Sequence, residues 1–209
     1  MSVEQPTPPE RTTWSKASHE GAVERFYSLG ASSQTDIHEG FLNFGLWEDG
    51  IESYLDAASN LVGKMASLLG LDAHSRLLDV ACGMGAQDIH LHRTFPGIQL
   101  DALDVTWGHV ERARRRGAAA GVGAGLRVHH GSATALPFDS GAFTHVMSIE
   151  GPEHFDTRRR FLAEVRRVLR PSGVMALADY TITRDMQGPI ERRLVDLARR
   201  LWKIPRENL

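Results

Sequence analysis

"LLDVACGMGAQ", residues 77–87, carries three apolar residues into its reach and then sets glycines at 83 and 85 around Met84. An apolar run of this length, closed by paired glycines, reads as a buried strand turning into a helix. Glycines at such a turn serve one of two ends. Either they let elements pack closely, or they bare a backbone that must touch a ligand. The surrounding sequence bears on the choice.

Upstream, Leu55, Ala58, Leu61, Val62, Met65, Leu68 and Leu69 recur at helical spacing, and Gly70 stands at the expected stop. Downstream, strand-length runs alternate with helical patterns: "RLLDVA" (76–81), "IQLDALDV" (98–105), "LRVHHG" (126–131), "THVMSI" (144–149) and "GVMALADY" (173–180). The clearest helix between them is predicted over 156–169. Phe161, Leu162, Val165, Val168 and Leu169 form its buried stripe, with Pro171 and Gly173 closing it. Strands separated by helices need crossovers. This predicts an α/β fold, a Rossmann-like, doubly wound, mainly parallel sheet covered on both faces.

Residues 1–13, with Pro6, Pro8 and Pro9, read as a flexible tail, and 14–52 as short helices forming a lid. The core is expected over 53–185 and a helical segment over 186–209, where Leu194, Leu197 and Leu201 lie about a turn apart.

The 209 residues suffice for one sizeable core. A net charge of −2 argues against a nucleic-acid partner. Cys82 is the single cysteine, so no intrachain disulfide can form, which suits a reducing, cytoplasmic setting. No apolar run reaches the roughly 18 residues of a membrane span, so no membrane partner is expected. The oligomeric state is left open.

In open parallel sheets ligands bind beyond the carboxyl ends of the strands. Gly83 and Gly85 would bare the backbone there, and the helix from Ala86 offers unpaired N–H groups. Asp104 ends the next strand, placed to accept from a ribose's vicinal hydroxyls. A nicotinamide dinucleotide site would want a third glycine where Asp88 stands, and a carboxylate there repels a pyrophosphate. Asp79, four residues before Gly83, suits an ammonium group instead. The charge pattern therefore favours S-adenosyl-L-methionine.

Four stretches in order carry a resemblance from about Phe41 to Tyr180: "LLDVACGMG", "LDALDVTWGHVERAR" (100–114), "HHGSATALPFDSGAFTHVMSIE" (129–150) and "FLAEVRRVLRPSGVMALADY" (161–180). They resemble the class I S-adenosylmethionine-dependent methyltransferases, in the small-molecule branch of ubiquinone, sterol and natural-product enzymes. "NFGLWEDG" (43–50) is similar to that branch's upstream lid. The resemblance implies that Asp79, Ala81, Gly83 and Gly85 hold the methionine part and Asp104 the ribose. Val105 and Ala133 would flank the adenine, and Ser132 stands where many relatives have an acid facing the adenine amino group. Tyr27 and Trp47 would close over the cofactor, or only pack within the lid. The family's sheet ends in two further strands with no counterpart here, so a truncated chain is expected.

Methyl transfer needs alignment and exclusion of water, and a hydroxyl acceptor gains from a general base. Of the ten histidines, His90 and His92 share no helix face, and His129 and His130 point to opposite faces of a strand. No metal is predicted. His154, in "EGPEHFD", follows the fourth strand at the functional rim, and the resemblance assigns it the base. Asp179 is expected to orient its imidazole and raise its pKa; capping or packing is the plain alternative for His154. Glu150 and Glu153 compete, especially for C-methylation. The expected function is methylation of a small-molecule acceptor, with O-methylation favoured. The alternative is a cofactor-binding protein of the same fold without transfer, a cyclase or binding module.

Overall fold

The computed structural model describes residues 11–30, 38–181 and 188–208. Five strands, β1 (Arg76–Val80), β2 (Gln99–Asp104), β3 (Leu126–His130), β4 (Phe143–Ile149) and β5 (Leu169–Ala178), form one parallel sheet in the order β3-β2-β1-β4-β5. The chain enters at β1, steps outward to β3, then returns to β4 on the other side. Strand order thus reverses beside β1, which opens a crevice beyond the carboxyl ends of β1 and β4.

Side chains alternate along each strand and sort the helices into layers. Leu77, Leu100 and Met147 pack with α2 (Tyr54–Leu69) and α3 (Ala86–Thr94). Ala102 and Val128 meet α4 (Trp107–Ala119). Leu78, Val80, Phe143 and Val146 pack against Phe161, Val165 and Val168 of α5 (Arg158–Val168). The α2 helix begins as its residues dictate: the Ser53 hydroxyl accepts from Asp56 N–H, and Gly70 closes it at φ 65°.

Two stripe assignments need correction. Leu68 is 64% exposed and Leu162 is 44% exposed. Each sits about 100° around its helix from the neighbours that meet the sheet. The expected stop after α5 also differs. Leu169 already pairs with Phe143, so Pro171, Ser172 and Gly173 form an irregularity within β5, and the ladder resumes at His145–Val174. Proline has no N–H for a ladder, and a Cβ on Gly173 would come within 3.1 Å of the Thr144 carbonyl oxygen.

Before the sheet comes α1 (His19–Gly30); residues 38–53 carry no further helix. The expected tail lies outside the described residues over 1–10. Its last part is docked instead: Thr12 N–H donates to His130 Nδ1 at 3.0 Å, and beside it Trp14, the first lid residue, donates from Nε1 to the Val105 carbonyl at 3.1 Å. At the other end, α6 (Gly188–Leu201) exposes Ile190, Leu194, Leu197 and Leu201. The first two residues of the predicted 186–209 segment lie outside the described ones. No helix among the described residues is long and apolar enough to cross a membrane.

Candidate active site

A cavity of about 850 Å³ opens where the strand order reverses. Its floor is the turns after β1, β2, β3 and β4, and α1 with residues 38–44 covers it. Of the residues the sequence put forward, Tyr27, Ala81, Gly83, Asp104, Val105, Ser132, Ala133, Glu150 and His154 line it. Trp47, Asp79, Gly85 and Asp179 do not.

Each of the four departures has a local cause. Asp79 shares the strand face of Leu77 and points beneath α3, fully buried, where its Oδ2 accepts from Gln87 Nε2 at 2.5 Å. Gln87, not Asp79, reaches the cavity wall. Asp88 lies beside it with both oxygens unpartnered. Burial and the Asp79 charge raise the Asp88 pKa, and burial pushes Asp79 up to about 7. Gly85 is a packing glycine: at φ 77° it begins α3, and a Cβ there would lie 2.9 Å from the Ala113 Cβ of α4. Trp47 is 55% exposed and donates to the Phe44 carbonyl.

Asp179 is claimed by a cation. Arg158 Nε donates to its Oδ2 at 2.5 Å, and its Oδ1 accepts from the Tyr180 N–H. The Arg158 guanidinium extends the clamp to the Tyr180 carbonyl and the Asn208 carbonyl. The expectation that Asp179 orients His154 is therefore corrected, because a permanent guanidinium outcompetes a neutral imidazole for a carboxylate.

His154 sits instead on Tyr27, whose hydroxyl is 2.8 Å from Nε2. Burial lowers the His154 pKa to about 4, against the backbone of Trp202 and the charge of Asp179, which pull upward. The predicted rise is thus reversed, since desolvation outweighs a carboxylate turned toward Arg158. Burial also pushes the Tyr27 phenol up. The phenol keeps its proton, and with the imidazole proton on Nδ1 it donates to Nε2. His19 Nε2 donates to the His154 carbonyl at 2.7 Å, tying α1 to this turn a second time. Beside it, burial and Asp179 push Glu153 up to about 8, and burial raises the half-buried Glu150, which accepts from Phe44 N–H at 2.8 Å.

Asp104 holds the opposite part of the cavity floor. Its Oδ2 accepts from Gly83 N–H at 2.9 Å and its Oδ1 from Thr106 N–H at 2.7 Å, with His109 Nδ1 3.3 Å away. Gly83 takes φ 56°, and a Cβ there would press on Leu42 at 2.9 Å. Ala81 adopts φ 68°, an uncommon conformation for a residue with a Cβ.

Three participants were not legible beforehand. Glu20 of α1 accepts from Ser132 Oγ at 3.1 Å. Asn208 Nδ2 donates to the carbonyls of Pro152, Glu153 and Phe155, bracing the His154 turn. Gln87 stands between Asp79 and the cavity. A polar residue in an irregular or helical segment carries no periodic signal of its distant partner.

A parallel sheet with this strand order, a glycine turn tied to an acid on the next strand, and a cavity over both define a nucleoside-binding α/β protein. Residues 77–173 match the family described as a methyltransferase domain. That stretch is a methyltransferase domain, consistent with the class I S-adenosylmethionine-dependent methyltransferases. It is 31% identical over 177 residues to erythromycin 3''-O-methyltransferase of Saccharopolyspora erythraea, covering 84% of this chain and 58% of that protein. It is 30% identical over 141 residues to 27-O-demethylrifamycin SV methyltransferase of Amycolatopsis mediterranei, covering 68% and 52%. Among solved structures, the [4+2]-cyclase SpnF superposes with a TM-score of 0.71 at 25% identity, covering 82% and 61%. The chain spans between about half and two thirds of the length of these proteins.

Proposed function

We propose that this chain transfers a methyl group from S-adenosyl-L-methionine to a hydroxyl of a small natural-product acceptor. One observation carries the reading: a single cavity joins the Gly83–Asp104 turn to the Tyr27–His154 pair. The residues present fit the cofactor. Gly83 lines the cavity with bare backbone, Leu42 seated where a Cβ would stand, and Asp104 keeps lone pairs beyond the two it gives to Gly83 and Thr106. Gln87, held by Asp79, is the polar side chain facing the methionine part.

When bound, the cofactor supplies an electrophilic methyl group on a sulfonium. Phe26, Phe44, Tyr180 and Trp202 give the acceptor end an apolar wall. Tyr27 and His154 move the proton: as the acceptor oxygen forms its new bond to carbon, its proton passes to the Tyr27 oxygen. The Tyr27 proton passes to Nε2, and the imidazolium later releases it to solvent. Glu150 is the next candidate base. Near-neutral charge accords with a small-molecule acceptor, no nucleic-acid or membrane partner, and the lone buried Cys82 with a cytoplasmic location.

The similar proteins suggest the panel: hydroxylated macrolides and 27-O-demethylrifamycin SV, incubated with methyl-labelled cofactor. Label in the acceptor, matched by acceptor-dependent demethylated cofactor, supports the reading. Rearrangement of an acceptor without label would favour the cyclase alternative.

A further inference from the structure

We propose that Glu20 reads the base of the cofactor's nucleoside and so sets which nucleoside the site accepts. The inference rests on the S-adenosylmethionine reading above. Across the carboxyl ends the sheet presents β3, β2, β1, β4 and β5 in line. Asp104 ends β2, the Gly83 turn follows β1, and the Tyr27–His154 pair stands after β4. A nucleoside with its ribose at Asp104 and its amino-acid part at Gly83 has β4 closed to it by the acceptor groups. Its base therefore lies over the end of β3.

The wall there is Val105, Ser132, Ala133 and Thr134, with Glu20 and Val23 from α1 above. Ser132 has its hydrogen bonding engaged: it donates to Glu20 Oε1 at 3.1 Å, and its Oγ accepts from Thr134 N–H at 3.2 Å. The Glu20 carboxylate is thereby held over this end, with acceptor positions beyond the one Ser132 uses. A carboxylate only accepts. It pairs with an exocyclic amine and repels a carbonyl at the same position. Glu20 is therefore matched to a 6-aminopurine and set against a 6-oxopurine.

The test is calorimetry of S-adenosylhomocysteine and S-inosylhomocysteine binding to the parent chain, Glu20→Gln and Glu20→Ala. The glutamine can still accept from Ser132 and adds an N–H that suits the 6-oxo group. The parent is expected to prefer the adenosyl compound by about tenfold or more, the scale of one hydrogen bond to a charged group. Glu20→Gln should narrow that preference at least about fivefold, and Glu20→Ala should weaken adenosyl binding without gaining inosyl binding. If the parent binds the adenosyl compound and Glu20→Gln keeps the same ratio within about twofold, Glu20 does not read the base. If the parent binds neither compound, the cofactor reading fails and takes this inference with it.

Discussion

The hydroxyl of Tyr27 lies 2.8 Å from Nε2 of His154, although the two residues are 127 positions apart in sequence. The contact gives Tyr27 a task in proton transfer rather than in cofactor closure alone. Tyr27→Phe keeps the ring packing and deletes the hydroxyl that meets Nε2. Turnover is expected to fall at least about tenfold, toward the range seen when a positioned base is lost, with S-adenosylhomocysteine affinity nearly unchanged. Unchanged or faster turnover would show that Tyr27 merely covers the histidine.

The same burial moves the acid limit of activity down, where a carboxylate partner would move it up. The His154 pKa is lowered to about 4, so the neutral, proton-accepting ring persists through the ordinary histidine range. Turnover at saturating acceptor should stay level from about pH 8 to about pH 5, then fall as pH drops through about 4. A fall centred near the ordinary value of about 6.5 would mean that the ring is solvated during turnover.

Asp79 and Asp88 make a buried acidic pair whose raised pKa values carry a stability signature. A carboxyl with a raised folded pKa contributes fully below its unfolded value of about 4 and loses that contribution as pH rises through the folded value. Asp88→Asn removes one member. Its melting temperature should match the parent's near pH 4 and exceed it increasingly as pH rises from there. A constant difference across that span would mean that ionisation of the pair does not set the stability there.

Ala81 and Gly151 compete for one space: a Cβ on Gly151 would lie 2.5 Å from the Ala81 Cβ. Gly151→Ala is expected to cost about 1–3 kcal/mol by overpacking. Ala81→Gly alone should stay within about 1 kcal/mol, because relief at φ 68° is offset by backbone freedom. In the double variant most of the Gly151→Ala cost should vanish. Additive costs in urea unfolding would show that the crowding is relieved by some other shift.

Asn208 braces the His154 turn through three carbonyl groups and accepts from the Arg158 N–H at 3.0 Å. Asn208→Ala removes these four hydrogen bonds and should cost about 1–3 kcal/mol. Hydrogen exchange at Phe155, whose amide closes the same turn, should quicken more than at β1. Uniform quickening across the sheet would instead indicate general destabilisation.

What the sequence determined by itself was the frame: alternating strands and helices, the glycine turn after β1, and Asp104 at the end of β2. These follow from periodicities of two and about 3.6 residues and from backbone conformations open to glycine, all decided by near neighbours. Tertiary structure alone decided which side chains meet. Tyr27 is 127 residues from His154 and Glu20 is 112 from Ser132, joined because α1 lies over the carboxyl ends of the strands. Asp179, promising by position, went to Arg158, and Asp79 turned under α3 because strand alternation gave it the face of Leu77. A carboxylate's partner is set by the nearest strong donor in space, and only the packed fold brings that donor near.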